Sequence, residues 1–222
     1  NIKRVIVVPG NSDKSELVLS DMGKTTSIYI QKIIKDDCII GITGGTTMAQ
    51  VAEEMPAAKI AKNIQISRAR GGLGKDVETQ SNSIAAKIAK KLNATYKLLH
   101  VPDNIDQKTL EGLLELPDIK EVVELLDKMD MIIFGIGRAD IMASKRNLSK
   151  DIIKLLNERK AVGEAFGHYF DIKGNVVWKM STIGITLESF KKIKSAIGVA
   201  GGESKAEAIM AISSLRDDIT II

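Results

Sequence analysis

Residues 38–55 read CIIGITGGTTMAQVAEEM. Cys38, Ile39 and Ile40 open an apolar, β-branched run that predicts a buried strand over residues 38–42. A helix-like pattern follows over residues 47–55, and Pro56 stops it. Between the two lie Gly44, Gly45, Thr46 and Thr47. Adjacent glycines let the backbone approach a ligand closely and take torsions that other residues resist. The threonines place hydroxyls at a helix start, where unpaired N–H groups favour an anion. The same four residues also suit a plain turn with a helix cap. No lysine follows the last glycine as in a Walker loop, and there is no clean dinucleotide fingerprint.

Working outward, short apolar strands alternate with amphipathic helices. This predicts an α/β fold, a mostly parallel sheet with helices on both faces. Strands are expected over residues 4–8, 38–42, 64–67, 97–101, 131–134, 196–199 and 219–222. Helices are expected over residues 15–34, 47–55, 83–92, 108–114, 119–127, 150–159 and 205–215. In the first of these, Leu17, Leu19, Ile28, Ile30, Ile33 and Ile34 are among the apolar positions. Residues 165–170 and 176–179 predict a small hairpin with Lys173, Gly174 and Asn175 at its turn. Neither a repeat nor a low-complexity linker interrupts residues 1–222, so one domain is expected.

The composition is that of an ordinary globular protein, with 44% hydrophobic and 27% charged residues among 222. The apolar runs are too short to span a bilayer. Residues 1–4 lead straight into a strand, so no signal peptide is read there. The single cysteine, Cys38, cannot close an internal disulfide and is expected to pack in the core of a cytoplasmic protein. A net charge of +4 suits an anionic small ligand. With 4% aromatic residues and no basic run, nucleic-acid binding by this chain has little support.

In an open α/β sheet, ligands bind past the carboxyl ends of the strands. Besides residues 44–47, three more turns sit at such ends. Arg70 precedes Gly71, Gly72 and Gly74, and its fork matches phosphate oxygens. Gln80 and Asn82 follow as hydroxyl partners or as part of a helix cap. Gly137, Arg138 and Asp140 precede the adjacent cations Lys145 and Arg146. Gly201 and Gly202 precede Lys205, a cation in a helix's first turn, where acids are normally favoured. That placement points to a bound anion, unless Glu203 or Glu207 pairs with it. Asp140 and Glu164 can accept bonds from sugar hydroxyls or can pair with Arg138 or Lys160. A bisphosphate needs about four positive charges, at roughly −1.5 to −2 per phosphate. Arg70, Lys145, Arg146 and Lys205 would supply them.

The stretches GITGGTTMAQVAEEM, RGGLGKDVETQSNSIA, LLHVPDN, FGIGRADIMASKRN, EAFGHYFDIKGNVV and GVAGGESKAEAI, in this order, resemble the effector-binding domain of bacterial SorC-family transcriptional regulators. The resemblance runs along nearly the whole chain. It implies a Rossmann-like sandwich related to sugar-phosphate isomerases and glucosamine-phosphate deaminases. It also implies a repressor domain of glycolytic genes whose effector is fructose 1,6-bisphosphate, with no cofactor. By that resemblance Gly44 to Thr47 and Lys205 hold one phosphate, while Arg70, Lys145 and Arg146 meet the other. Gln80 and Glu164 address the sugar. Where the family can carry arginine near position 145, this chain has Lys145, with Arg146 as a substitute. Such regulators self-associate as dimers or tetramers and reach operator DNA through an N-terminal helix-turn-helix domain, which these residues do not include.

The competing reading is an isomerase or deaminase on the same fold. Such chemistry needs a general base over the sugar carbon. The acidic pair expected of ribose-phosphate isomerases beside residues 131–134 is missing, with only Asp140 some way on. His100 and His168 read as structural. No Cys/His cluster has metal-ligand spacing, and no acid stands at the ribose spacing after a glycine fingerprint.

Overall fold

The computed structural model describes residues 2–58, 60–70, 77–98, 101 and 105–222. Its strands are β1 (Arg4–Val5), β2 (Ile39–Ile42), β3 (Gln65–Arg68), β4 (Thr95–Lys97), β5 (Met131–Gly135), β6 (Gly137–Arg138), β7 (Gly163–Ala165), β8 (His168–Phe170), β9 (Val176–Lys179), β10 (Ser195–Val199) and β11 (Thr220–Ile221). The helices are α1 (Glu16–Ile33), α2 (Thr46–Glu54), α3 (Ser81–Leu92), α4 (Gln107–Leu114), α5 (Pro117–Asp127), α6 (Ala139–Lys145), α7 (Lys150–Glu158), α8 (Leu187–Lys192) and α9 (Ala206–Ser213).

Seven strands lie side by side in the order β1, β11, β10, β5, β2, β3, β4, and every neighbouring pair is parallel. Strand β5 shows why its sequence is apolar throughout. Met131 and Ile133 enter the core beneath α1, α2 and α3, while Ile132 and Phe134 enter the opposite core with α8 and α9. A strand covered on both faces has no polar side to show. Cys38 is buried in the first of these cores, as its apolar context predicts.

The first helix buries only some of its leucines and isoleucines, and adds small and polar residues to its inward face. Leu17 is 77% exposed and Ile28 54%, whereas Met22, Gly23, Thr26, Ser27 and Ile30 are buried. The inward polar groups are satisfied locally: Thr26 Oγ1 donates to the Met22 carbonyl at 2.7 Å and Ser27 Oγ to that of Gly23 at 2.8 Å. Small residues on this face let α1 lie close to α2, where Ser27 Oγ also reaches the Val51 carbonyl at 3.2 Å. Truncating fully buried Ile30 to alanine is expected to cost about 2–5 kcal/mol. Truncating Leu17 should change stability by less than about 0.5 kcal/mol. Urea titration of both variants checks this, and equal losses would mean that α1 is rotated from this orientation.

The predicted hairpin is part of a four-stranded antiparallel sheet, in the order β6, β7, β8, β9. Residues 165–170 are not one strand. Phe166 (φ 55°) and Gly167 (φ 82°) make a two-residue turn between β7 and β8. Strand β1 is shorter than the expected 4–8, and β4 falls earlier than the expected 97–101; residues 99 and 100 lie outside the described set. Helix α8 was not predicted, because its six residues are too few for a periodic signal.

Strand order reverses between β2 and β5. From β2 the chain winds outward through β3 and β4, then returns to β5 and winds the other way through β10 and β11. Loops leaving adjacent strands that wind in opposite directions diverge and leave a crevice between them.

Candidate functional site

That crevice is a cleft of about 640 Å³, within the usual range for small-molecule sites. Its floor is the turn from β2 into α2. Thr43 is tied to β5, its N–H donating to the Ile133 carbonyl at 3.3 Å and its Oγ1 accepting from Gly135 N at 3.2 Å. At Gly44 a Cβ would lie 2.8 Å from the Thr79 carbonyl oxygen, which also accepts from Gly45 N at 2.8 Å. Gly45 has φ 112° and ψ 164°, torsions that side-chain-bearing residues avoid. Helix α2 then starts at Thr46 without a side-chain cap, and Gly45, Thr46 and Thr47 all line the cleft. The positive pole of α2 therefore ends on the cavity.

The far wall comes from β5, α6 and β7. Arg146, at the end of α6, and Arg70, just past β3, both donate to one oxygen of Glu164, Oε1, at 3.0 and 3.1 Å. The N–H of Gly167 donates to the same oxygen at 2.8 Å. All three side chains are at least nine-tenths buried. Burial pushes the Glu164 carboxyl up, but Arg146, Arg70 and the Gly167 N–H together outweigh it and hold it below the ordinary glutamate range. As the acid on the cleft wall, Glu164 is not poised to titrate near neutrality, as a general base would be.

Lys145 and Lys205 line the same cleft. Burial pushes the Lys205 ammonium down; Asp13 pulls it back up and Lys145 pushes it down again. A partly desolvated cation facing another cation is a poor arrangement for a ligand-free protein and a good one for binding an anion. Among the described residues, five lining side chains are cationic, namely Arg70, Arg138, Lys145, Arg146 and Lys205, against the single carboxylate of Glu164. Arg138 is paired with Asp140 at 2.5 Å, which leaves a surplus near three charges.

The structure thus brings Gly44, Gly45, Thr46, Thr47, Arg70, Gly137, Lys145, Arg146, Glu164 and Lys205 onto one cavity. Gly71 and Gly72, like His100, lie outside the described residues. Gln80 holds the position before α3, and Asn82 lies within that helix; neither is on the cleft wall. Asp140 is likewise off the wall, pointing its carboxylate at the Arg138 guanidinium. Gly201 and Gly202 have a different purpose from the one their sequence suggests. A Cβ on Gly202, whose φ is 97°, would overlap the carboxylate of Asp13. That carboxylate accepts from Ser204 N at 3.0 Å and from Ser204 Oγ at 2.9 Å. The turn before α9 is already filled by an internal anion, and only Ser204 and Lys205 beyond it face the cleft. His168 is not on the wall either; its Nδ1 lies 3.2 Å from the Phe166 carbonyl oxygen.

Sequence reasoning missed Thr43, Thr79, Ser81, Met142, Phe166 and Ser204 as wall residues. All six lie inside stretches quoted above, but nothing in their residue type sets them apart there, and Asp13 has no such signal for its part beside the site.

This arrangement is an α/β domain with a crevice lined by cationic side chains at the switch in strand order. A family model described as "Putative sugar-binding domain" matches residues 1–217, and the chain belongs to that family of sugar-binding regulator domains. It is 40% identical over 211 residues to the central glycolytic genes regulator of Bacillus subtilis (strain 168), covering 95% of this chain and 62% of that protein. The regulator of the same name from Priestia megaterium is 39% identical, covering 100% of this chain and 65% of its own length. The chain therefore spans less than two thirds of these two relatives. Among solved structures, a SorC-family transcriptional regulator from Enterococcus faecalis superposes with a TM-score of 0.90 at 37% identity, covering 100% of this chain and 91% of that one.

Proposed function

We propose that this chain is the phosphosugar-sensing domain of a cytoplasmic transcriptional repressor of glycolytic genes, and that fructose 1,6-bisphosphate is the effector that relieves repression. The observation that carries this reading is the convergence on one cleft of the uncapped α2 terminus, Lys145, Lys205 and the Arg70–Glu164–Arg146 cluster. The surplus of about three positive charges among the described residues exceeds what one phosphate of roughly −1.5 to −2 needs, and the α2 N-terminus adds to it. The names of the two close relatives support a glycolytic role. In this reading the ligand binds one conformation better than another and so biases how the subunits of a dimer or tetramer assemble. Contact with operator DNA belongs to a helix-turn-helix domain outside these residues.

The alternative, an isomerase or deaminase, is disfavoured by the ionised, doubly paired state of Glu164 and the position of His168 off the cleft wall.

A thermal-shift panel followed by calorimetry is the test. At equal concentration, fructose 1,6-bisphosphate is expected to raise the melting temperature more than fructose 6-phosphate, glucosamine 6-phosphate, ribose 5-phosphate or dihydroxyacetone phosphate. A larger shift from a monophosphate would overturn the effector assignment. Turnover of any of these at an ordinary enzymatic rate would overturn the sensor reading.

A further inference from the structure

The adjacent cations at positions 145 and 146 do different work in the fold. Lys145 lines the cleft. Arg146 also borders it, but its side chain is only 3% exposed and it is engaged with Glu164, Tyr169 and Met180. Its Nη2 donates to Glu164 Oε1 at 3.0 Å, its Nη1 lies 3.4 Å from the Tyr169 hydroxyl and 3.1 Å from the Met180 sulfur, and its guanidinium lies over the Tyr169 ring at 5.8 Å. Met180 is shared: Arg70 Nη2 lies 3.4 Å from the same sulfur. Arg70 and Arg146 therefore approach one carboxylate oxygen and one thioether from two sides, and Gly167 N completes the set on Glu164.

We infer that Arg146 is a positioning residue, which fixes the Glu164 carboxylate and through it the Arg70 guanidinium, and is not itself a phosphate contact. This rests on the phosphosugar reading above and assigns the cationic contact from this pair to Lys145. The physical ground is competition. A buried guanidinium engaged by a carboxylate and a hydroxyl must give up those bonds to meet a ligand phosphate, leaving Glu164 buried with less compensation. A lysine that reaches the cleft gives up nothing comparable. Titratable groups around Glu164 are Arg70 from the end of β3, Arg146 from α6, and His168 and Tyr169 from β8. Of these, the two arginines set its ionisation.

The test combines a titration of the ligand-free protein with a mutant cycle. By carboxyl ¹³C NMR, Glu164 of the wild type is expected to stay ionised to below the ordinary glutamate range. In Arg146→Met its titration should move upward, because burial remains while one guanidinium is gone; Arg146→Lys should fall between. An unmoved titration overturns the inference. In calorimetry, Arg146→Met should weaken fructose 1,6-bisphosphate binding at least fivefold in the wild-type background and less than twofold in Glu164→Gln. Lys145→Met should lose affinity equally in both backgrounds. Equal losses from Arg146→Met in both backgrounds would make Arg146 a direct contact and overturn the inference while leaving the effector assignment intact. Should the wild type bind no phosphosugar, the effector assignment fails and the titration decides this inference alone. Were Arg146→Met to misfold, Arg146→Lys carries the same comparisons.

Discussion

Replacing Lys205 with methionine is expected to weaken fructose 1,6-bisphosphate binding by about ten- to a hundredfold, as loss of a charge-assisted bond of ~1.5–3 kcal/mol implies. The same substitution should leave the ligand-free protein as stable as before or more so. Burial opposes the ammonium, Lys145 opposes it further, and the partial help of Asp13 does not restore it to the ordinary lysine range. A lysine whose folded pKa is depressed costs stability wherever the unfolded chain would carry the charge, which includes neutral pH. Methionine keeps the apolar stem and removes that cost. Calorimetry measures the first effect and a ligand-free thermal melt the second. Thr46→Ala should cost less affinity, because its hydroxyl is neutral and the α2 N–H groups remain. Unchanged affinity in Lys205→Met would place the anion elsewhere; a large drop in ligand-free melting temperature would mean that Lys205 is a structural cation and not a binding one.

The second large effect is expected at Glu164. Removing its carboxylate leaves Arg70 and Arg146 buried side by side without the anion they share. Loss of one partner from a buried ionic cluster typically costs about 3–5 kcal/mol. Glu164→Ala is therefore expected to lose stability on that scale by urea titration, and Glu164→Gln somewhat less because the amide oxygen can still accept from Gly167 N. The pH dependence follows from the direction of the shift. The folded pKa of Glu164 lies below its unfolded value, so its contribution is complete above the unfolded value of about 4.3 and disappears as pH falls through the folded one. The stability gap between wild type and Glu164→Gln should accordingly be flat from pH 8 to 5 and close under more acidic conditions. A gap that closes already between pH 7 and 6 would contradict this assignment.

Both expectations concern residues whose chemistry was visible in the sequence and whose partners were not. Lys205 stood out because a cation at a helix start runs against the helix dipole. The double glycine before it suggested a second backbone cradle for phosphate. Yet Gly202 is glycine because the Asp13 carboxylate, nearly two hundred residues earlier in the chain, occupies the space of its Cβ. A similar lesson comes from Arg146. Adjacent Lys145 and Arg146 look equivalent in a linear reading, but successive residues at a helix end point in different directions, so that one meets the cavity while the other enters the wall. In α1 the density of Leu and Ile suggested a face that Leu17 and Ile28 do not share with the core. Close approach to α2 favoured small Gly23, Thr26 and Ser27, whose hydroxyls bond to their own helix.

What the sequence determined by itself was the alternation of buried strands and helices, and hence the parallel sheet covered on both faces. Strand β5 is apolar on both sides because helices cover both sides, and that constraint is local enough to read one residue at a time. It also determined that a glycine turn joins β2 to α2, since the torsion at Gly45 and the bare helix start depend on neighbours in sequence. Only the tertiary structure decided which charges meet across the cleft. Arg70, Arg146 and Glu164 come from three separate segments, and their convergence depends on strand order and on the two-residue turn at Phe166 and Gly167. Long-range electrostatic pairing of this kind is set by packing in three dimensions, and spacing along the chain carries no record of it.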